Sequence, residues 1–392
     1  MFDANDRKFM KRAVALAEKG LGLASPNPSV GCVIAQDGKT IGKGYHEYSL
    51  LDHAEVRALR EASESSRGAT AYVTLEPCSH YGRTPPCADR LIESGVRRVV
   101  VARIDPNPRV SGQGIDRLRS AGILVDVGLM AEEASRTIEA FACRITTGLP
   151  LVVSKVGMSL DGKIGTAAGV DRSISSVEGR EFGQGLRFGE DAILVGVGTI
   201  LADDPELTYR GAARKVRPLI RVILDTHLQT PTHSRLFHSV EHAPILIFCD
   251  GDAAAGRGTE LERKGAEIVR VPVSGEELDL PSVLQELGRR DVLSVLVEGG
   301  SFVHWSFLVN RLIDKFYFLI APIVLGGKDA VPAVGGRGYD VIAESPRFKL
   351  NRSFLAGPDL VLETYPVYSR SIISPWRSSE NAPSDGRDPL RP

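Results

Sequence analysis

The sequence lacks a surplus of charge of either sign. It carries 48 basic and 49 acidic residues, a formal net charge of −1. Polynucleotide binding draws on a basic excess that displaces counterions, so a nucleic-acid-coating protein is not expected. The chain also lacks the apolar run of ~18–20 residues that a membrane helix needs. Its longest candidate, residues 316–325, is shorter and holds Pro322. The opening stretch MFDANDRKFMKR is charged from its start, so no signal peptide is expected. Cysteine is scarce, and its count of five is odd, unlike a disulfide framework. A reducing, cytoplasmic compartment is expected, with the cysteines buried or bound to metal. What is present is ordinary for globular domains: 43% hydrophobic and 25% charged residues. At ~150 residues per domain, 392 residues make two or perhaps three.

The hydrophobic pattern alternates between periods. Phe9, Ala13, Leu16 and Ala17 share one helical face. Residues 30–34 and 40–45 read as strands around an Asp37-Gly38 turn. Helices are expected at 53–63, 87–94 and 116–121, and strands at 69–74, 98–102 and 123–127. Strands alternating with helices imply a layered α/β domain. Gly148 and Pro150 mark a boundary, after which the count restarts with strands at 151–156, 192–197, 220–224, 245–248, 268–272, 294–297 and 315–322. Helices intervene at 178–188, 258–264, 280–287 and 302–310. No internal repeat links the halves. From Ser369 onward serine and proline replace apolar periodicity, and such a segment cannot offset its ordering entropy. The expected organisation is 1–147, 151–368 and a disordered tail at 369–392.

One constellation carries chemistry. His53-Ala54-Glu55 precedes a helix, and Cys78 and Cys87 follow downstream. A histidine and two thiolates give a tetrahedral zinc three ligands and leave the fourth position for water, the catalytic arrangement. Glu55, two residues past His53, can stand beside that water and shuttle its proton without being a ligand. Taken singly, Cys78 and Cys87 read as buried thiols and His53 as a capping or core histidine. Together with Glu55 they match the His-x-Glu…Pro-Cys…Cys signature of zinc nucleobase deaminases. The second gap here is eight residues rather than two, and SHYGRTPP, with Gly82 and two prolines, reads as a rigid loop returning Cys87 to the metal. His46 and His80 compete as ligands; Cys32, Cys143 and Cys249 read as packing.

These residues resemble a known family. His53-Ala54-Glu55, Thr74-Leu75-Glu76-Pro77-Cys78 and Gly82-Arg83-Thr84-Pro85-Pro86-Cys87 look like the bifunctional riboflavin-biosynthesis deaminase–reductases. So do Pro26-Asn27-Pro28 and Asp105-Pro106-Asn107-Pro108. The resemblance implies a cytidine-deaminase-like three-layer α/β/α domain with zinc on His53, Cys78 and Cys87 and Glu55 as proton carrier. It implies hydrolytic loss of the ring amino group from a small diaminopyrimidinone ribosylamino phosphate. Asn27 is then a candidate for the pyrimidine edge, the alternative being a plain turn. Arg83 is a candidate for the phosphate, the alternative being a solvated arginine. Leu50 stands where the family usually has glycine.

The second half has no GxGxxG after its first strand, so a Rossmann fingerprint is not supported. It does have glycines after strands, at Gly196 and Gly198 and at Gly299-Gly300. Such glycines let phosphate approach backbone N–H groups, although tight turns use glycine too. The family resemblance continues through residues 155–163, 196–210, 298–300 and 321–322. It implies a dihydrofolate-reductase-like α/β domain that uses NADPH to reduce ribosyl to ribityl. It implies cofactor contacts at Met158, Ser173, Thr199, Asp203, Thr226, Gly300 and Ser301. It implies substrate contacts at Lys155, Asp171, Arg187, Leu207, Arg210 and Glu298, with both arginines as phosphate clamps. It also implies a homo-oligomer, to which the Trp305 helix is a candidate contributor, Trp305 reading equally as a core residue. Three departures stand out: Ser173 replaces a usual tryptophan, Phe188 a usual alanine, and Lys315 a usual glutamate. The missing tryptophan leaves an alternative, a deaminase whose second domain is a degenerate nucleotide-binding or assembly module.

Overall fold

The computed structural model describes residues 2–82, 84–167 and 174–368; the tail expected at 369–392 lies outside them. The chain begins with helix α1 (Ala4–Gly20). Asp3 and Asp6 cap its start reciprocally, each side chain accepting the other's N–H. Strands β1 (Gly31–Gln36) and β2 (Lys39–Tyr45) form the expected hairpin. Asp37 and Gly38 both take positive φ (50° and 74°), the turn whose twist suits a two-residue hairpin. Then follow α2 (Ala54–Ala62), β3 (Thr70–Val73), α3 (Cys87–Glu93), β4 (Arg98–Val101), α4 (Gln113–Ser120) and β5 (Leu124–Val127). The sheet order is β2-β1-β3-β4-β5. Phe9, Met10, Ala13 and Val14 of α1 pack on one face with Tyr72 and Ala134. Ala54, Ala58, Leu91, Ile115 and Leu118 cover the other. These are the three expected layers. Gly44 lets α2 lie close on the hairpin: a Cβ there would stand 2.3 Å from the Ala54 carbonyl oxygen. That approach sets the start of α2, where His53 and Glu55 sit.

Two helices not read from the pattern, α5 (Ala131–Thr137) and α6 (Glu139–Thr147), lead to the second domain. The end of α6, Ile145-Thr146-Thr147, is β-branched and a poor helix former alone. Packing supplies the difference, with Cys143 buried against Leu151, Val153 and Leu296.

The second domain comprises β6 (Leu151–Met158), β7 (Lys163–Gly165), α7 (Val177–Gly189), β8 (Ala192–Gly196), α8 (Val197–Asp203), β9 (Ile220–Leu224), β10 (Ile245–Asp250), α9 (Ala255–Arg263) and β11 (Ala266–Val271). It continues with β12 (Val273–Ser274), β13 (Glu277–Leu278), α10 (Leu280–Arg289), β14 (Ser294–Val297), α11 (Ser301–Val309), β15 (Lys315–Ile320), β16 (Val331–Pro332), β17 (Arg347–Ala356) and β18 (Asp359–Val367). The main sheet runs β11-β10-β9-β8-β14-β6-β15-β18-β17. Its members are parallel until β18, which pairs antiparallel with β15 and β17. The hairpin β17–β18 and the short α8 were not expected. An edge strand with mostly exposed positions carries little apolar alternation, and a seven-residue helix opening on Val-Gly is too short to show a period.

Lys315, at the departure from the family pattern, is 9% exposed. Glu139 of α6 neutralises it: the Lys315 ammonium and the Tyr365 hydroxyl both donate to that carboxylate. No helix among the described residues is long and apolar enough to cross a membrane.

Candidate active sites

In the first domain three separate elements bring the candidate metal-ligating side chains together. His53 is the residue before α2, and its side chain makes no capping bond there. Cys78 follows β3, and Cys87 opens α3. His53 Nδ1 lies 3.2 Å from Cys87 Sγ and 3.6 Å from Cys78 Sγ. All three ligand atoms fall within 4.8 Å of one another. A tetrahedral zinc with bonds of about 2.0 Å to nitrogen and about 2.3 Å to sulfur sets its ligands about 3.5 Å apart, so these residues fit the ion. The SHYGRTPP loop thus does what its glycine and prolines suggested, although Arg83 itself lies outside the described residues.

The electrostatics agree with a thiolate site. Hydrogen bonds from the Cys87 thiol, the His53 ring and the Cys87 backbone N–H hold the Cys78 thiol at about 4 against the opposing pull of burial. The Cys78 sulfur and burial push Cys87 up. Glu55 is 4% exposed, and burial pushes its carboxyl up to about 7, where a group both accepts and releases a proton readily at neutral pH.

The competing histidines do not join the cluster. His80 is exposed. His46 is buried, and its ring stands edge-on to His53 at 5.1 Å. Its Nε2 accepts from Asn27 Nδ2 at 3.0 Å, and its Nδ1 donates to the Asp52 carbonyl at 3.3 Å. Burial, with His53 nearby, lowers its pKa to about 4, so the ring is neutral. Leu50 closes a short turn on Glu47 and costs no ligand. Cys32 is buried in the core, as expected. Glu76 was missed. Its carboxylate accepts the backbone N–H groups of Asp105, Gly112, Gly114 and Ile115 at 2.9–3.3 Å. It therefore ties the 105–115 loop to the strand end that carries Cys78. The available signal was an acidic residue two places before a cysteine.

In the second domain a cavity of about 660 Å³ opens at the carboxyl ends of parallel strands β8, β9 and β14, where α/β sheets bind ligands. Gly196, Gly198, Thr199, Asp203, Thr226, Gly300 and Ser301 line it, which unites five candidate cofactor residues from beyond the ends of three strands. Ser301 Oγ is buried with no hydrogen-bond partner among the described residues. An unsatisfied donor in a cavity wall fits a polar cofactor group. Met158 is different. It is half-buried at the end of β6, packs against the domain core and is not among the cavity's lining residues. Ser173 and Asp171 lie outside the described residues.

Arg187 also departs from expectation. Its Nε and Nη2 donate to the two oxygens of Glu298 at 2.9 Å each, and its Nη1 donates to the Thr208 carbonyl at 3.0 Å. Three of the five N–H donors of this guanidinium are engaged inside the protein, and its charge is matched by Glu298 rather than left open for a phosphate. Burial pushes the Glu298 carboxyl up, and the Arg187 charge more than offsets this, holding it at about 2. Lys155 acts on Glu298 in the same sense. Leu207 is buried with a φ of 54°. Arg210 is exposed, with its backbone N–H held by Gln184 at 2.8 Å. Trp305 is 8% exposed and packs against Tyr339, as a core residue does.

Comparison with known proteins adds to this geometry. Residues 3–103 match the model of the cytidine and deoxycytidylate deaminase zinc-binding region. Residues 150–362 match the RibD C-terminal domain. The riboflavin biosynthesis protein RibD of Aquifex aeolicus is 40% identical, across 91% of this chain and 97% of that protein. The RibD of Escherichia coli is 40% identical, across 91% and 98%. Acinetobacter baumannii RibD superposes with a TM-score of 0.82 at 35% identity, covering 93% of this chain and 99% of the other. A diaminohydroxyphosphoribosylaminopyrimidine deaminase/5-amino-6-(5-phosphoribosylamino)uracil reductase from Thermotoga maritima superposes at 0.80, also at 35% identity and with the same coverage.

Proposed function

Since this chain belongs to the RibD family of bifunctional deaminase–reductases of riboflavin biosynthesis, we propose that residues 1–147 deaminate and residues 151–368 reduce one phosphorylated pyrimidine in turn. The zinc-dependent deaminase and the NADPH-dependent reductase are both present. That weighs against a degenerate second domain. The residue roles are the proposal, and the observation that carries them is the His53, Cys78 and Cys87 cluster with Glu55 buried beside it.

In this reading His53, Cys78 and Cys87 hold the zinc. When bound, zinc supplies the Lewis acidity that readies a water for attack at neutral pH. Glu55 would carry the water's two protons in turn, one to the ring nitrogen and one to the departing amine, so that ammonia leaves and a carbonyl beside a ring N–H remains. Asn27 spends one amide hydrogen on His46, which leaves its Oδ1 as acceptor for a pyrimidine amino group.

NADPH supplies the hydride for the second step. Thr199, Asp203, Thr226, Gly300 and Ser301 line the cavity that would hold it. Lys155, Leu207, Arg210 and Glu298 lie on the substrate side, and Arg187 orients Glu298. Arg210 is the arginine we assign to the phosphate. The reading includes a homo-oligomer, supported by exposed Leu350 and Leu355 on edge strand β17 (54% and 69%). It also includes a cytoplasmic location, where thiols such as Cys78 and Cys87 stay reduced.

A product assay on the diaminopyrimidinone phosphate, with and without NADPH, tests the pair of activities. Ammonia release in both samples and NADPH oxidation only after deamination are expected. Oxidation on the undeaminated substrate at an equal rate would break the order. The ligand set has a separate check: Cys78→Ser and Cys87→Ser are each expected to lower bound zinc by at least about tenfold, read by metal analysis. Full zinc content in either variant would remove that residue from the site.

A further inference from the structure

The segment that carries Asn27 lies on the seam between the domains, and the second domain grips it there. Ser25 Oγ donates to Asp191 Oδ2 at 2.8 Å. Arg217 Nη1 donates to Ser25 Oγ at 3.2 Å and lies 3.9 Å from Asp191 Oδ2. Asp191, just before β8, is 5% exposed and is itself fixed. Its Oδ2 also accepts the Leu293 N–H at 2.8 Å, and its own N–H donates to Ser294 Oγ at 3.2 Å. Gly22 presses on the same domain: with φ at +76°, a Cβ there would stand 2.2 Å from the Phe188 carbonyl oxygen, so only glycine fits.

On the deaminase side the grip leads straight to the site. The Asn27 N–H donates to the Ala24 carbonyl at 2.9 Å, closing a turn around Ser25. Asn27 Nδ2 then donates to His46 Nε2, and the His46 ring abuts His53. A continuous run of short contacts therefore joins Asp191 to the residues around the metal ligands. Each domain has its own sheet and core, so neither needs the Ser25 hydroxyl in order to fold. Asp191 and Arg217 do not line the cofactor cavity, so reduction does not need it either.

We propose that Asp191, assisted by Arg217, is a positioning residue for deamination: the reductase domain holds residues 24–28 so that Asn27 and His46 face the pyrimidine in working geometry. The inference rests on the reading of Asn27 as a substrate contact. It follows that deamination depends on the second domain through contact alone, with no transfer of intermediate. Loss of such a support acts through misplacement, and small displacements of a contact group are costly in catalysis.

The test uses the zinc-loaded full-length chain. Ser25→Ala is expected to lower deamination kcat/KM by about tenfold, carried mostly by KM, the scale of one lost hydrogen bond to a charged group. Bound zinc and NADPH oxidation on the deaminated substrate stay unchanged. Ser25→Thr, which keeps the hydroxyl, restores the rate, and Asp191→Asn, a poorer acceptor, follows Ser25→Ala. Asn27→Ala loses more, and the double variant Ser25→Ala/Asn27→Ala matches Asn27→Ala alone, because Ser25 acts through Asn27. An unaltered kcat/KM in Ser25→Ala, additive losses in the double variant, or joint loss of zinc and both activities overturns the support role. Undiminished deamination by Asn27→Ala overturns the reading of Asn27 itself, and the proposal with it.

Discussion

Replacing Glu55 by glutamine is expected to slow deamination by about 10²- to 10⁴-fold while zinc content and NADPH oxidation hold at the level of the unaltered chain. Glutamine keeps the size and one oxygen of the side chain but cannot take up a proton. The carboxyl is 4% exposed beside Cys87 and His53, and burial has already brought it near neutrality. It sits in the first turn of α2, two residues past a ligand, close enough to serve the water but absent from the three-residue cluster. The split readout separates two meanings of a dead variant. Lost ammonia release with full zinc makes Glu55 the proton carrier. Lost zinc would make it a ligand, and undiminished ammonia release would remove it from the mechanism.

Arg187→Ala is expected to cost the second domain about 3–5 kcal/mol, the usual result of leaving a buried charge without its partner. Both side chains are nearly enclosed, at 14% and 13% exposure. Buried Trp305 offers a fluorescent probe for urea unfolding of that domain, and at denaturant levels where reduction is lost deamination should fall only as far as loss of the Ser25–Asp191 contact takes it. Acid gives a second signature. In the unaltered chain the Glu298 carboxyl stands at about 2, below its ordinary 4.5. Its stabilisation is therefore complete above about 4.5 and fades as pH falls from there toward 2. In Arg187→Ala burial, the largest influence on that carboxyl, is opposed only by Lys155 and His304 and raises it, so the sign reverses. The variant's deficit is largest near neutrality and shrinks on acidification as Glu298 takes up a proton. A deficit that stays constant with pH would show that the ion pair is not its source.

The sequence was most legible where chemistry constrains residue type. Histidine and two cysteines near a glutamate have few joint explanations, so the zinc cluster could be read despite its eight-residue gap. Glycines after strands pointed to Gly196–Thr199 and Gly300, and those residues line the cavity. Legibility failed where a side chain's role depends on its partner. Arg187 and Arg210 look alike on paper. One is spent on Glu298, 111 residues away, and the other is exposed. Met158 sits in a stretch resembling a cofactor strand, yet it packs half-buried against the core and not along the cavity. The β17–β18 hairpin escaped notice because an exposed edge strand has little burial to imprint as a pattern.

By itself the sequence pointed to two α/β units, the family and the three side chains that the fold gathers into one cluster, because periodicity and ligand chemistry are local properties written in neighbouring residues. Only the tertiary structure decided which charges meet. Lys315 finds Glu139 across 176 positions, and Ser25 finds Asp191 across 166. Such pairings depend on how two finished domains dock, and no short-range pattern records that geometry. The near-zero net charge of the chain, its first visible absence, is fixed by composition alone, whereas folding decided that the Lys315 charge left water matched to Glu139.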